Sequence, residues 1–363
     1  MPMPRVDFCS TAQFPFEAYS DRSFTLAEPT SLPGRKIAEQ VNAIMTELLQ
    51  FRRMTRCEHS CTKTACSQCA APHLDKIKTA VVTLQPVTFV LPAFPGKSPN
   101  PAKVLGPLPD MGEQRALQFL DGLCRRIRRL YKPGARIILC SDGRVFSDVV
   151  GMVEADVTAY QHELDRMIED LGLEYISTFN LDELRVGDDF DQIRKDLMDE
   201  YGQPLETLKE KVSRGGRGSE DRDEQDAHRL FCGITRFLFE DATHPGQRQS
   251  RTAVQKESRI RAYEVIRRSN AWSELIAERF PAAVRLSIHP QTCGSRKLGI
   301  QLLGDSSWMT PWHGVAVDTG DEFVLMKRWE AEKHGSVLVR DASGRASHFQ
   351  LKSSLTAAGG ARG

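Results

Sequence analysis

The sequence predicts an α/β fold: a Rossmann-like, mostly parallel sheet flanked by helices, with additional antiparallel strands in the C-terminal part. Three observations carry this. Short β-branched apolar runs, Val87–Leu91 and Arg136–Cys140, alternate with longer stretches at helical spacing, the βαβ grammar of a parallel sheet. Pro133-Gly134 closes a helical stretch immediately before a strand, so the connections are short. From Val284 onward one strand-like segment follows another, which suits antiparallel neighbours.

The elements follow in chain order. Residues 1–34 carry Pro2, Pro4, Pro15, Pro29 and Pro33 and read as irregular. Ile37, Val41, Ile44, Met45, Leu48 and Leu49 recur at helical spacing, predicting a helix over Arg35–Arg53. Val87–Leu91, stopped by Pro92, reads as a buried strand. Asp110–Tyr131 reads as a helix with Leu117, Leu120, Leu123, Cys124, Ile127 and Leu130 on one face. After the strand Arg136–Cys140 come a helix (Glu154–Leu171) and a strand (Glu174–Thr178). A charged helix follows over Asp191–Val212, then a flexible loop over Ser213–Ser219. Two more helices, Asp221–Glu240 and Thr252–Arg279, precede the strands Val284–His289, Lys297–Leu303, Gly314–Asp318, Glu322–Lys327 and Ser336–Arg340. The organisation expected is an N-terminal helix with a Cys-rich insert over 1–76, a catalytic α/β domain over 77–353 and a disordered tail over 354–363.

Composition excludes several classes. Of 363 residues, 49 are Lys or Arg and 48 Asp or Glu. That balance supplies no global field for nucleic acid or an anionic membrane. No apolar run reaches the roughly 18 residues that span a bilayer, and no secretory signal opens the chain. Nine cysteines, an odd number and mostly scattered, fit a reduced cytoplasmic protein better than a disulfide scaffold. The basic stretch holding Lys256, Arg259 and Tyr263, and the group Arg125, Arg126, Arg128 and Arg129, read as solvated helix faces.

The chemistry is expected beyond the carboxyl ends of the strands, where loops and helix N-termini present donors. Polar clusters stand there: Phe94–Asn100 with Lys97 and Ser98, Ser141–Asp148 with Asp142, Arg144 and Ser147, and Ser287 with His289. A further segment, Thr310–Gly314 with Trp312 and His313, enters a strand. Each cluster taken alone reads first as a turn; their convergence on one rim is the functional expectation. No GxGxxG or GxxxxGK[ST] follows the first strand, and HExxH and GxSxG are absent. A nucleotide-dependent oxidoreductase or transferase therefore lacks its signature. Cys57, Cys61, Cys66 and Cys69 form a candidate structural zinc set, at a spacing more compressed than paired CxxC knuckles. A zinc-stapled binding protein is the other alternative, and the charge balance opposes a nucleic-acid role.

The strings FPGKSPN, KVLGPLPD, SDGRVFSD, ITRFLFED, RSNAWSELI, RLSIHPQ and TPWHGVA occur in this order across about Ile77–Val317. Together they resemble the isocyanide (isonitrile) synthases of the pyoverdine/dityrosine biosynthesis family. The resemblance implies that the α-amine of an aromatic L-amino acid, tyrosine or tryptophan, becomes an isocyanide. Its carbon comes from C2 of ribulose 5-phosphate, and no cofactor is required for catalysis. A downstream Fe(II)/2-oxoglutarate-dependent oxygenase is a companion the family admits. Against that reaction, His289, Asp142, Asp148 and His313 are the acid/base candidates. Lys97 and Arg144 are assigned to phosphate or carboxylate, with Arg285 or Arg236 taking the other anion. Lys97 has a second, lower-ranked role as a Schiff-base nucleophile. Ser98, Ser147, Ser287 and Trp312 are further substrate-binding candidates, and Phe94, Phe146, Trp308 and Trp312 candidate walls of an aromatic pocket.

Overall fold

The computed structural model describes residues 34–54, 61, 66–184, 189–244, 246–303 and 309–352. The irregular N-terminal segment, Cys57, Trp308 and the expected disordered tail lie outside the described residues.

The central sheet is built from β1 (Val87–Leu91), β2 (Ala135–Ser141), β3 (Ile176–Asn180), β4 (Val284–Ser287) and β5 (Leu298–Gly299), in the order β3-β2-β1-β4-β5. All four pairings are parallel. Phe89 at its centre faces Ile137 on one side and Val284 on the other. Helices cover both faces, so the strands read as continuous apolar runs rather than alternating ones. The expected strands Val284–His289 and Lys297–Leu303 thus extend the parallel sheet.

Helix α3 (Met111–Leu130) begins where the sequence places it because Asp110 and Glu113 form a capping box. The Asp110 carboxylate accepts from the Gly112 amide at 2.8 Å, and Glu113 accepts from the Asp110 amide at 3.0 Å. Leu117, Leu120, Leu123, Cys124 and Ile127 are buried as expected, whereas Leu130, in the last turn, is exposed.

The expected helix over Asp191–Val212 is two, α6 (Phe190–Tyr201) and α7 (Leu205–Gly216). Pro204 supplies no amide and holds the preceding backbone extended. The expected loop over Ser213–Ser219 is helical up to Gly216. A Cβ at Gly215 would stand 2.0 Å from the Glu224 carbonyl oxygen. These glycines let α7 cross close to α8 (Arg222–Ala242), so they serve packing instead of breaking the helix.

Between β2 and β3 run α4 (Gly143–Val150) and α5 (Glu154–Asp170), and α9 (Arg251–Arg279) leads back to β4. At the N-terminal side, α1 (Gly34–Gln50) and a helix the sequence reading missed, α2 (Ser67–Val82), pack into the main core. Val41, Ile44 and Leu48 share it with Phe89 and Leu117. Residue 77 lies inside α2. The second sheet has the order β7-β6-β9-β8, from β6 (Val315–Asp318), β7 (Phe323–Met326), β8 (Val337–Arg340) and β9 (Ala346–Gln350). Its two hairpins are antiparallel and joined by a parallel β6–β9 pairing. Strand β9 and the short α10 (Arg328–Lys333) were not expected. No helix among the described residues is long and apolar enough to cross a membrane.

Candidate active site

Strand order reverses between β1 and β4: β2 and β3 follow to one side of β1, β4 and β5 to the other. In an open parallel sheet the loops leaving the two strands beside such a point diverge to opposite faces and leave a crevice. Here those loops are Pro92–Asn100 after β1 and Ile288–Lys297 after β4, with Asp142 beside them at the end of β2. Phe94 holds the first loop in a left-handed backbone conformation, φ 59°, a strain of about 1–3 kcal/mol that collects at functional sites. Ser141 Oγ donates to the Phe94 carbonyl at 2.9 Å. A Cβ at Gly143 would lie 1.7 Å from the Pro95 carbonyl oxygen, so only glycine lets the β1 and β2 loops touch.

One polar group sits under the β1 loop. Lys97 Nζ donates to Asp110 at 2.8 Å, to Glu113 at 2.7 Å and to the Pro311 carbonyl at 3.1 Å. Tyr160 donates to the other Glu113 oxygen at 3.1 Å. All three ammonium protons are engaged and the charge is balanced by carboxylates, so Lys97 neither offers a cation to a substrate anion nor stands as an available amine. Burial pushes the Glu113 carboxyl up to about 7 and the two carboxylates hold the Lys97 ammonium in its charged form.

A second group surrounds Asp241. Ser98 Oγ donates to it at 2.8 Å, Lys103 is paired with it, and His313 Nδ1 lies 3.7 Å away. His313 Nδ1 is buried without a hydrogen-bond partner, and burial lowers the imidazole's affinity for a proton. Asp241 also lines a cavity of about 230 Å³ with Pro99, Val150, Leu238, Val254 and Arg261.

The third group stands at the ends of β2 and β4. Asp142 Oδ1 and Arg285 Nη1 are both buried without a hydrogen-bond partner, a state that costs about 1–3 kcal/mol per group unless a ligand completes it. Burial raises the Asp142 carboxyl to about 7 and lowers Arg285 to about 10. His289 is exposed, yet the surrounding protein and the neighbouring Lys297, Arg53 and His313 hold its imidazole down at about 4. Lys297, also exposed, is pushed down to about 8 by burial and by Arg285.

Several sequence candidates are placed in the framework. Arg144 is enclosed by Glu154 (2.5 Å), Thr158 (2.6 Å) and the Phe190 ring, 3.8 Å from its guanidinium; its charge is used to join α4 to α5. Asp148 takes a two-pronged contact from Arg268 at 2.6 and 3.0 Å, which holds its carboxyl below the usual range and unsuited to donating a proton. Ser147 donates to Glu154 at 2.7 Å. Arg236 lies on the surface of α8, paired with Glu240 at 3.1 Å. Ser287 accepts from the His289 amide at 3.1 Å and shapes the turn. Trp312 packs on Phe94, ring centroids 5.2 Å apart, inside the core, and Phe146 packs among the helices. The basic residues Lys256 and Arg259 are exposed. Asp110, Glu113, Lys103, Asp241, Tyr160 and Lys297 were missed. The Asp-x-x-Glu spacing could have revealed the first two; nothing local marks Tyr160 or Lys297.

The cysteines also differ from the expected set. Cys61, Cys66 and Cys69 meet Cys293, from the β4–β5 loop, with all four sulfurs within 4.8 Å of one another. The fourth position is thus filled by a residue remote in sequence, and the group is geometrically suited to hold a metal ion.

The fold is an open α/β sheet with ionisable groups gathered at the ends of β1, β2 and β4. Residues 77–339 match the family described as pyoverdine/dityrosine biosynthesis protein. The chain is 45% identical to the L-tryptophan isonitrile synthase of Fischerella ambigua, over 82% of this chain and 90% of that one. It is 43% identical to the L-tyrosine isonitrile synthase of Pseudomonas aeruginosa, over 90% and 96%. The crystal structure of the PvcA protein from Pseudomonas aeruginosa superposes with a TM-score of 0.79 at 43% identity, covering 86% of this chain and 99% of that one. The chain belongs to the pyoverdine/dityrosine biosynthesis family.

Proposed function

We infer that the chain is an isonitrile synthase, a lyase that converts the α-amine of an aromatic L-amino acid into an isocyanide with carbon from C2 of ribulose 5-phosphate. The observation that carries this is the similarity, over nearly the whole chain, to two enzymes named for that reaction on tryptophan and on tyrosine. The ionisable groups at the ends of β2 and β4 support this reading.

Condensation of the amine with the ketone requires an acid to expel water from the carbinolamine, and the later C–C cleavages require a base. Asp142, with its carboxyl near 7, can serve in both states. His289 and His313, neutral at physiological pH, orient hydroxyls and relay protons. Arg285 with Lys297 replaces Lys97 and Arg144 as the anion-binding pair, because their cationic heads are not consumed by carboxylates. The cavity reaching Asp241 takes the amino acid's aromatic side chain. Use of a sugar phosphate and free thiols favour a cytoplasmic enzyme, and an Fe(II)/2-oxoglutarate-dependent oxygenase fits as a consumer of the product.

The test is incubation with tyrosine or tryptophan and ribulose 5-phosphate labelled at C2, followed by tetrazine trapping. Label in the isocyanide carbon is the expected result. Absence of an isocyanide with every aromatic amino acid overturns the reading.

A further inference from the structure

The four-cysteine cluster ties together segments that the catalytic groups do not. Cys61 lies between α1 and α2, Cys66 and Cys69 open α2, and Cys293 sits in the β4–β5 loop, between His289 and Lys297. Cys66 and Cys293 sulfurs are 3.4 Å apart, Cys69 and Cys293 3.5 Å, and Cys66 and Cys69 3.7 Å. A disulfide needs about 2.05 Å and joins only two sulfurs. A tetrahedral zinc ion with Zn–S bonds of about 2.3 Å separates its ligands by about 3.8 Å, close to the spacings here. Cys61, Cys69 and Cys293 are buried, and the Cys69 amide donates to the Cys66 carbonyl at 3.1 Å, closing the turn between these two ligands. The Arg52 guanidinium donates to the Cys61 carbonyl at 2.5 Å, bringing a cation beside the cluster.

The surrounding backbone is arranged to the same end. Arg52 and Met54 form bridges to Ile300 and Gln291, and the Gln291 amide donates to the Arg53 carbonyl at 3.1 Å. The segment leading into the cysteines is therefore stitched to the same loop that Cys293 enters.

We propose that Cys61, Cys66, Cys69 and Cys293 bind one zinc ion, and that this ion fixes the Ile288–Lys297 loop, with His289 and Lys297, against the N-terminal helices. Four thiolates close the coordination sphere, so the ion acts structurally and leaves no position for substrate. It orders the loop from outside the crevice, and His289 and Lys297 inherit their placement from Cys293. The loop's catalytic importance rests on the function proposed above; the zinc site and its effect on order do not.

Metal analysis of the full-length protein, expressed with zinc available, should find one zinc per chain. Exchange into cobalt should give the visible bands of a tetrahedral cobalt tetrathiolate. Cys293→Ser should weaken retention against a chelator by at least the roughly 10–100-fold that losing an outer-shell partner costs, while Cys232→Ser, at an exposed thiol, leaves it unchanged. Zinc removal should speed amide exchange in residues 288–297. A metal-free wild-type protein that gives no cobalt bands, iron in place of zinc, or full retention by Cys293→Ser overturns the site. Unchanged exchange in that loop overturns the positioning role. These readouts do not depend on turnover, so they separate this proposal from the assignment of the reaction.

Discussion

Asp142 and Arg144 stand two residues apart and have opposite fates. The Asp142 carboxyl keeps a buried oxygen without a hydrogen-bond partner and is raised to about 7. A general acid must be protonated to act, so kcat/KM should fall as pH rises through about 7. Asp142→Asn should lower kcat by a factor on the order of 10²–10⁴ and remove that limb from the pH profile. A limb that persists in the variant assigns it to another group, Glu113 being the alternative because its carboxyl is also raised to about 7. Arg144, in contrast, is buried against Glu154, Thr158 and Phe190. Arg144→Ala leaves the Glu154 carboxylate short of a partner and should cost about 3 kcal/mol. That is the lower end of the range for broken buried pairs, since the Glu154 side chain is 34% exposed. Urea denaturation would show the loss, with KM for both substrates unchanged in the folded protein. A raised KM without loss of stability returns Arg144 to the substrate. The sequence could not separate these two residues, because charge and position in a polar cluster are the same whether the partner is a ligand or another side chain.

At the level of elements, the site depends on where the loops after β1 and β2 touch. Gly143 begins α4 against the Pro95 carbonyl oxygen. Gly143→Ala forces backbone against Cβ, a cost of about 1–3 kcal/mol for overpacking, and displaces Asp142 from the crevice. A lowered urea midpoint together with lost turnover is expected; a wild-type midpoint and rate would refute the contact. Helix α3 was legible because its capping box and apolar face are written within a few residues. The break at Pro204 was equally local but was overlooked within a charged stretch. Helix α2 was hidden by the cysteines before it, and its buried Cys69, His73, Ile77 and Val81 give only a thin stripe. The glycines at the end of α7 read as helix breakers, although the approach of α8 makes them packing residues. That meaning exists only once two helices are in contact.

Across the whole molecule, the parallel sheet and its reversal between β1 and β4 explain why the segments following β1, β2 and β4 lie side by side. The sequence by itself determined the alternation of strands and helices, the polar clusters at strand ends and the family resemblance, since each is a pattern within a short window. Tertiary structure alone decided which cations remain available, which thiol completes the cysteine cluster and which carboxyl is raised towards neutrality. The reason is physical. Patterning records a residue's intrinsic preference for water or core, whereas pairing and desolvation depend on atoms brought close by remote parts of the chain. Lys97 with Asp110, Glu113 and Pro311, and Cys293 with Cys66 and Cys69, acquire their chemistry only after the chain has closed around them.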